Sequence, residues 1–224
     1  MFVSFVLFVI KFNKKLRFYI NYRKLNALIK RNRYFIFLIE KTLIPIISCK
    51  YLTKLNIIVA FNKLRMHFKS KDFIILVIFI KVYKYYVLLF ELINDFVSYQ
   101  HYINNVLFEY LYDFCQVYFD NVLIYNKTQK KYTQYVYLVL QKLIDVELQI
   151  NIRKYQFYVQ KINFLDIILS IKDICINSLK IQVIIVWITS ICLKKVQVFV
   201  SFCNFYKRFI KDSFKIVRSM LKLI

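Results

Sequence analysis

The sequence predicts an α+β fold in which short antiparallel strands are backed by amphipathic helices. Three observations predict it. Phe114-Cys115-Gln116-Val117-Tyr118-Phe119-Asp120-Asn121-Val122-Leu123-Ile124-Tyr125 consists of two apolar, partly β-branched runs broken by Asp120-Asn121, which reads as a β-hairpin with those two residues at its tip. Before it, Phe96, Tyr99, Ile103, Val106 and Tyr110 recur at helical spacing, and after it Val136, Val139, Leu140 and Leu143 do the same. A helix with one apolar face is therefore expected on either side of the hairpin. Apolar runs at residues 5–9, 16–22, 51–58 and 73–82 supply further strands, the last of them buried as one strand or two.

Composition sets bounds on function. At 224 residues the chain holds one large domain or two small ones and can bury a core. Its residues are 60% hydrophobic, yet no apolar run reaches the roughly 18 residues that span a bilayer. Residues 1–10 are too short for a signal peptide and lack its basic lead. An intracellular chain without a membrane span is expected. A formal net charge of +23, spread along the whole chain, points to a polyanionic partner or to a generally basic solvated surface. The five cysteines, Cys49, Cys115, Cys175, Cys192 and Cys203, share no C-x-x-C spacing. Buried thiols in a reducing compartment are expected, not disulfides or zinc ligands. His67 and His101, far from any cysteine pair, read as structural or surface residues.

Glycine is absent altogether, where about sixteen would be usual at a frequency of roughly 7%. Pro45 is the single proline, and Ala27 and Ala60 are the only alanines. Phe, Tyr, Ile, Leu, Lys and Asn, whose codons are rich in A and T, fill the space. Turns and close backbone approaches favour glycine, so mutational drift explains its absence better than folding does.

Taken in order, the chain carries a linked series of motifs. Tyr118-Phe119-Asp120-Asn121 resembles the Tyr-x-Asp-Asp box of reverse transcriptases, with Asn in place of the second Asp. Lys50-Tyr51-Leu52-Thr53-Lys54-Leu55-Asn56 resembles the family's Tyr-Phe-Thr-Lys-Leu-Asp-Leu segment, with Asn56 at the third catalytic carboxylate. Asn21-Tyr22-Arg23-Lys24-Leu25-Asn26 resembles its Asp-Tyr-Arg-x-Leu-Asn, and residues 33–40 its Arg-Tyr-Pro-x-Pro segment without the prolines. The likeness is to the gypsy class of LTR retrotransposons and runs from about residue 4 to residue 220. It implies a right-hand polymerase fragment. Fingers and palm would occupy residues 1–172, with the palm core at about 49–61 and 98–172, and the start of a thumb residues 173–224.

The same resemblance implies roles for single residues. Lys11 and Arg17 would grip the nucleotide triphosphate from a basic fingers turn, although the residues alone fit an exposed charged hairpin equally well. Phe61 falls at the aromatic steric gate under the sugar, and Gln100 at a glutamine beside the incoming nucleotide. Read without the family, the first is an ordinary core aromatic and the second a surface amide. Residues 149–158 and 164–170 resemble the two strands that follow the palm hairpin. Trp187 and residues 196–210 resemble the thumb, where Lys207 and Arg208 would touch the template–primer backbone or form a solvated helix face. Glu91, Glu147, Asp166 and Ser201 stand where the family has glycine. Left-handed backbone or close backbone packing is expected there, with the acids of Glu91 and Asp166 in apolar surroundings.

The chemistry of the family uses two Mg²⁺ ions to activate a primer hydroxyl and stabilise departing pyrophosphate. Three carboxylates hold them, and here those positions are Asn56, Asp120 and Asn121. Only Asp120 remains a metal-binding carboxylate, with Asn56 and Asn121 as degenerate ligand positions. At an effective dielectric of about 20, each charge lost about 4 Å from a cation removes several kcal/mol, and each ~1.4 kcal/mol is tenfold in rate or occupancy. The expected outcome is a polymerase fold that no longer polymerises, a degenerate copy. Its partners in the family would be an RNA template and an RNA–DNA hybrid, with no membrane and no small-molecule cofactor. Two alternatives stand beside it: a basic nucleic-acid-binding protein without catalysis, and a product without function.

Overall fold

The computed structural model describes residues 3–10, 16–34, 43–47, 49–58, 60–78, 80–89, 91–171, 173–187 and 192–221. They fall into two units, Met1–Val159 and Gln160–Ile224. In the first, β1 (Val3–Ile10) pairs antiparallel with β2 (Leu16–Ile20), as the two apolar runs predict. A short helix α1 (Arg23–Leu28) follows, and β3 occupies Tyr51–Ile58, the residues expected of it. The apolar run at 73–82 divides into β4 (Ile75–Ile78) and β5 (Lys81–Lys84). β4 lies inside the sheet order β2-β1-β4-β5, whereas β5 is its edge and every one of its residues is exposed. The expectation of a buried run therefore fails at β5, where two lysines guard an open edge.

The second sheet of this unit carries the site. Helix α2 (Asp95–Val106) precedes β6 (Cys115–Tyr118) and β7 (Asn121–Asn126), and α3 (Gln129–Asp145) follows them. β8 (Gln149–Ile150) and β9 (Gln156–Val159) both pair with β3, so the order is β6-β7-β3-β8 with β9 also on β3. A turn at residues 152–154 interrupts what the sequence suggests is one strand. Alternate residues of the strands, Leu55, Ile57, Cys115, Val117, Val122 and Ile124, face Tyr99 and Ile103 of α2 and Val139 and Leu143 of α3. The period of two in the strands and near 3.6 in the helices meets in this one core. Fully burying each such large apolar side chain contributes roughly 1.5–3 kcal/mol.

In the second unit β10 (Lys161–Phe164), β11 (Ile167–Ser170) and β12 (Ile174–Ile176) form an antiparallel sheet. Helices α4 (Ser178–Ile185), α5 (Leu193–Phe205) and α6 (Ser213–Leu221) follow, with Trp187 against Phe199 and Phe202 of α5. All five cysteines are free; Cys49 and Cys115 are buried and Cys203 half-buried. Cys175 and Cys192 are exposed, against expectation, because one lies on the outermost strand β12 and the other at the N-cap of α5. Among the described residues no helix is long and apolar enough to cross a membrane.

The backbone keeps glycine's conformations without glycine. Glu91, Glu147 and Asp166 have φ of 93°, 54° and 62°, as expected of these positions. At the end of α3, the Glu147 amide donates to the Ile144 carbonyl and the Leu148 amide to the Leu143 carbonyl, each at 2.8 Å. That is a Schellman ending, with Glu147 at the left-handed position glycine usually takes. Asp166 shares the β10–β11 turn with Leu165, also left-handed at φ 53°. Ser201 breaks the pattern: it lies within α5, where the helix carries no left-handed residue. The acids are also better placed than expected. Asp166 is exposed and pairs with Lys180 at 3.2 Å, and Glu91 accepts the Ile20 amide at 3.1 Å.

Glu147→Gly is expected to stabilise the chain by about 1–2 kcal/mol through relief of left-handed strain, and Ser201→Gly to destabilise it by about 0.5 kcal/mol as a helix-interior glycine. Thermal or chemical denaturation of the two variants checks the opposite signs.

Candidate active site

Strand register, more than turn propensity, builds this site. Tyr118 pairs with Asn121, so the two turn residues are Phe119 and Asp120, and Asn121 already belongs to β7. The tip expected at Asp120-Asn121 is displaced by one residue. The cause is tertiary: β7 pairs with β3 without interruption from Tyr51↔Asn126 to Asn56↔Asn121, and a slip would turn every side chain to the wrong face. Phe119 takes up the bend at φ 51°, and it alone of the two turn residues has positive φ, the sign pattern of a type II′ turn.

This register brings the three predicted catalytic positions together. Asn56 Nδ2 donates to Asp120 Oδ2 at 2.6 Å, and Asn121 Nδ2 donates to Asp120 Oδ1 at 3.0 Å. The Ile57 amide donates to the Asp120 carbonyl at 2.7 Å. Each oxygen of the one carboxylate thus faces an amide N–H. The alternation of β3 puts Asn56 on the face opposite Leu55 and Ile57, away from the helix-packed core.

Gln100 was expected beside an incoming nucleotide, and the structure places it beneath the turn, 3% exposed. Its Oε1 accepts the Phe119 amide at 2.8 Å, and its Nε2 donates to the Val117 carbonyl at 3.2 Å and to Asn104 Oδ1 at 2.8 Å. Asn104 in turn donates to the Tyr34 hydroxyl at 2.9 Å. Gln100 therefore holds the left-handed turn residue to α2. Asn104 and Tyr34 are residues that sequence reading missed; the Gln100/Asn104 spacing of one helical turn was the available signal.

Phe61 begins a line of aromatic contacts. Its ring meets Phe96 at 5.5 Å and Tyr99 at 5.0 Å, and Phe96 meets Phe119 at 5.0 Å. Such edge and tilted contacts are favourable for aromatic rings. The Tyr99 hydroxyl is buried and lacks a hydrogen-bond partner among the described residues. Burial first, and then the Asp120 charge, push its ionisation far above the usual tyrosine range. Lys11 lies outside the described residues, and of Arg17 only the backbone pairing with Val9 is described. Lys207 and Arg208 are exposed on a 3₁₀ turn of the second unit, with the Arg208 guanidinium over the Phe209 ring at 5.2 Å.

The resemblance implies Mg²⁺ at this site, and the donor set can be tested against it. Mg²⁺ takes oxygen ligands at about 2.0–2.1 Å, chiefly carboxylates, phosphates and water. Here one carboxylate is bracketed by two N–H donors. Among the described residues no group of three or more His, Cys, Asp or Glu could hold a metal ion. The residues present do not fit the ion.

The family model for "Reverse transcriptase (RNA-dependent DNA polymerase)" matches residues 9–169. The Retrovirus-related Pol polyprotein from transposon 297 of Drosophila melanogaster is 27% identical over 206 residues, covering 92% of this chain and 20% of that protein. The Tf2-7 polyprotein of Schizosaccharomyces pombe is 26% identical over 219 residues, covering 98% of this chain and 16% of that protein. The chain thus spans a fifth or less of these curated relatives. The foamy viral protease-reverse transcriptase in complex with double-stranded DNA superposes with a TM-score of 0.85 at 16% identity, over 98% of this chain and 38% of that one. Its complex with an RNA/DNA hybrid gives 0.80 at 15% identity, over 98% and 30%. The fold is that of a right-hand polymerase fragment.

Gln100→Met, which keeps shape and removes the amide, is expected to lower the unfolding free energy by about 1–3 kcal/mol, the cost of unsatisfied buried backbone groups. Chemical denaturation checks it; a change below about 0.5 kcal/mol, within the range of inert surface substitutions, would show that the amide does not hold the turn.

Proposed function

The chain belongs to the reverse transcriptase (RNA-dependent DNA polymerase) family, and from that premise we propose that it is a degenerate, non-polymerising copy of a gypsy-class retrotransposon domain. Its ancestral activity would be template-primed nucleotidyl transfer, for which the family uses Mg²⁺. The observation that carries the loss is the pair of amides on Asp120, Asn56 Nδ2 at 2.6 Å and Asn121 Nδ2 at 3.0 Å. Where the reaction needs clustered anions, the chain supplies one anion whose oxygens already accept hydrogen bonds. Fingers and palm would fill residues 1–172 and the thumb residues 173–224. The drift toward Asn, Glu and Asp at former Asp and Gly positions agrees with the total absence of glycine.

A second reading is favoured by the net charge of +23 and the exposed Lys207 and Arg208. It is binding of an RNA–DNA hybrid without catalysis. Such binding would weaken steeply with salt as phosphate counterions are released and recaptured. Affinity that is flat between low and physiological salt would rule it out.

Primer extension on poly(rA)–oligo(dT) with Mg²⁺ or Mn²⁺ is expected to give no incorporation above background. Incorporation that disappears in Asp120→Ala would overturn the proposal. The double reversion Asn56→Asp with Asn121→Asp is also expected to stay at background. Three left-handed acids at positions where the family has glycine, Glu91, Glu147 and Asp166, remain in it, at roughly 1–2 kcal/mol each against a whole-domain stability of about 5–15 kcal/mol. Polymerase activity in the double variant, before glycine is returned at those three positions, would refute that expectation.

A further inference from the structure

We propose that Asn56 and Asn121 form a cation-independent lock that holds the β6–β7 turn to β3, so that the stability of this sheet is uncoupled from divalent metal. The inference rests on the non-polymerising reading and goes beyond it, from what the site has lost to what the substitutions have made.

Three contacts cross or brace the junction. Asn56 Nδ2 reaches Asp120 Oδ2 at 2.6 Å, Asn121 Nδ2 reaches Asp120 Oδ1 at 3.0 Å, and the Ile57 amide reaches the Asp120 carbonyl at 2.7 Å. Hydrogen bonds to an ionised carboxylate are the stronger kind. The two asparagines are partners across the β3–β7 ladder, so both amides approach the carboxylate from a fixed frame. Three aspartates in the same frame would place like charges within hydrogen-bond distance of one another. Such charges repel unless a cation or protons intervene. Here an N–H donor stands at each contact where a second carboxylate would repel Asp120. The amide groups replace the charge balance that a metal supplies to a carboxylate cluster, and they do so inside the chain.

The consequence is a loss of metal linkage. A ligand that binds only the folded state raises its stability; a protein with no such site gains nothing. The test is thermal unfolding of the natural chain and of Asn56→Asp, Asn56→Ala and Asn56→Asp/Asn121→Asp, each in EDTA and in millimolar Mg²⁺. The natural chain is expected to melt at the same temperature in both buffers. The double variant is expected to melt roughly 5 °C or more lower in EDTA, a large shift for a chain of this size, and to regain most of the loss in Mg²⁺. A double variant as stable as the natural chain in EDTA overturns the lock and leaves the non-polymerising reading intact. A natural chain stabilised saturably by Mg²⁺ overturns the reading itself. If the double variant folds in neither buffer, the single variants decide. In EDTA Asn56→Asp must melt below Asn56→Ala, since one adds repulsion and the other only removes a donor; the reverse order overturns the lock.

Discussion

The unbroken antiparallel pairing of β3 with β7 is the constraint on which the first unit depends. Six rungs run from Tyr51↔Asn126 to Asn56↔Asn121. Their core-facing residues, among them Leu55, Val122 and Ile124, are buried against α2 and α3. Burial on one face penalises any slip of register, because a shift by one residue would send these side chains to the other face. The polar ends of the same strands are carried along passively. Asn56 and Asn121 meet Asp120 because the apolar residues beside them cannot move.

The turn that presents Asp120 is held from below as well as from the side. Phe119 is left-handed at φ 51°, a conformation that costs a non-glycine residue roughly 1–2 kcal/mol. Its amide is captured by Gln100, whose other end joins Val117 and Asn104, and Asn104 reaches Tyr34. A buried amide network of this kind is stabilising only when its members are satisfied. Both ends of the Gln100 amide are. The turn therefore has a polar mount on α2 and an aromatic flank from Phe96 to Phe61.

With glycine absent, left-handed backbone falls to other residues. At Glu147 the helix still ends in a Schellman arrangement, and at Glu91 the turn is braced on three sides. Asp95 accepts the Glu91 amide at 2.7 Å, Asn26 donates to the Glu91 carbonyl at 2.9 Å, and the Glu91 carboxylate accepts the Ile20 amide at 3.1 Å. Burial raises the ionisation of the Asp95 carboxyl above the usual carboxylate range, and the backbone amides of Glu91 and Phe96 draw it partly back. Tertiary contacts thus impose at these positions a conformation that the residues themselves disfavour.

Local periodicity was enough to determine the α+β class, the span of β3 and the helices on either side of the hairpin, and the order of motifs that resemble reverse transcriptases was enough to expect that Asn56, Asp120 and Asn121 meet. Each of those follows from residues close in sequence or from their linear order. What only the tertiary structure decided are features whose partners are distant. The turn moved from Asp120-Asn121 to Phe119-Asp120 because β3 dictates the register of β7. Gln100 became a mount because its partner Phe119 lies 19 residues away. Glu91 escaped an apolar burial because Ile20, 71 residues away, offers it an N–H. Turn propensity and composition act within a few residues, whereas hydrogen-bond satisfaction and register are settled by whichever strand or helix the chain folds alongside.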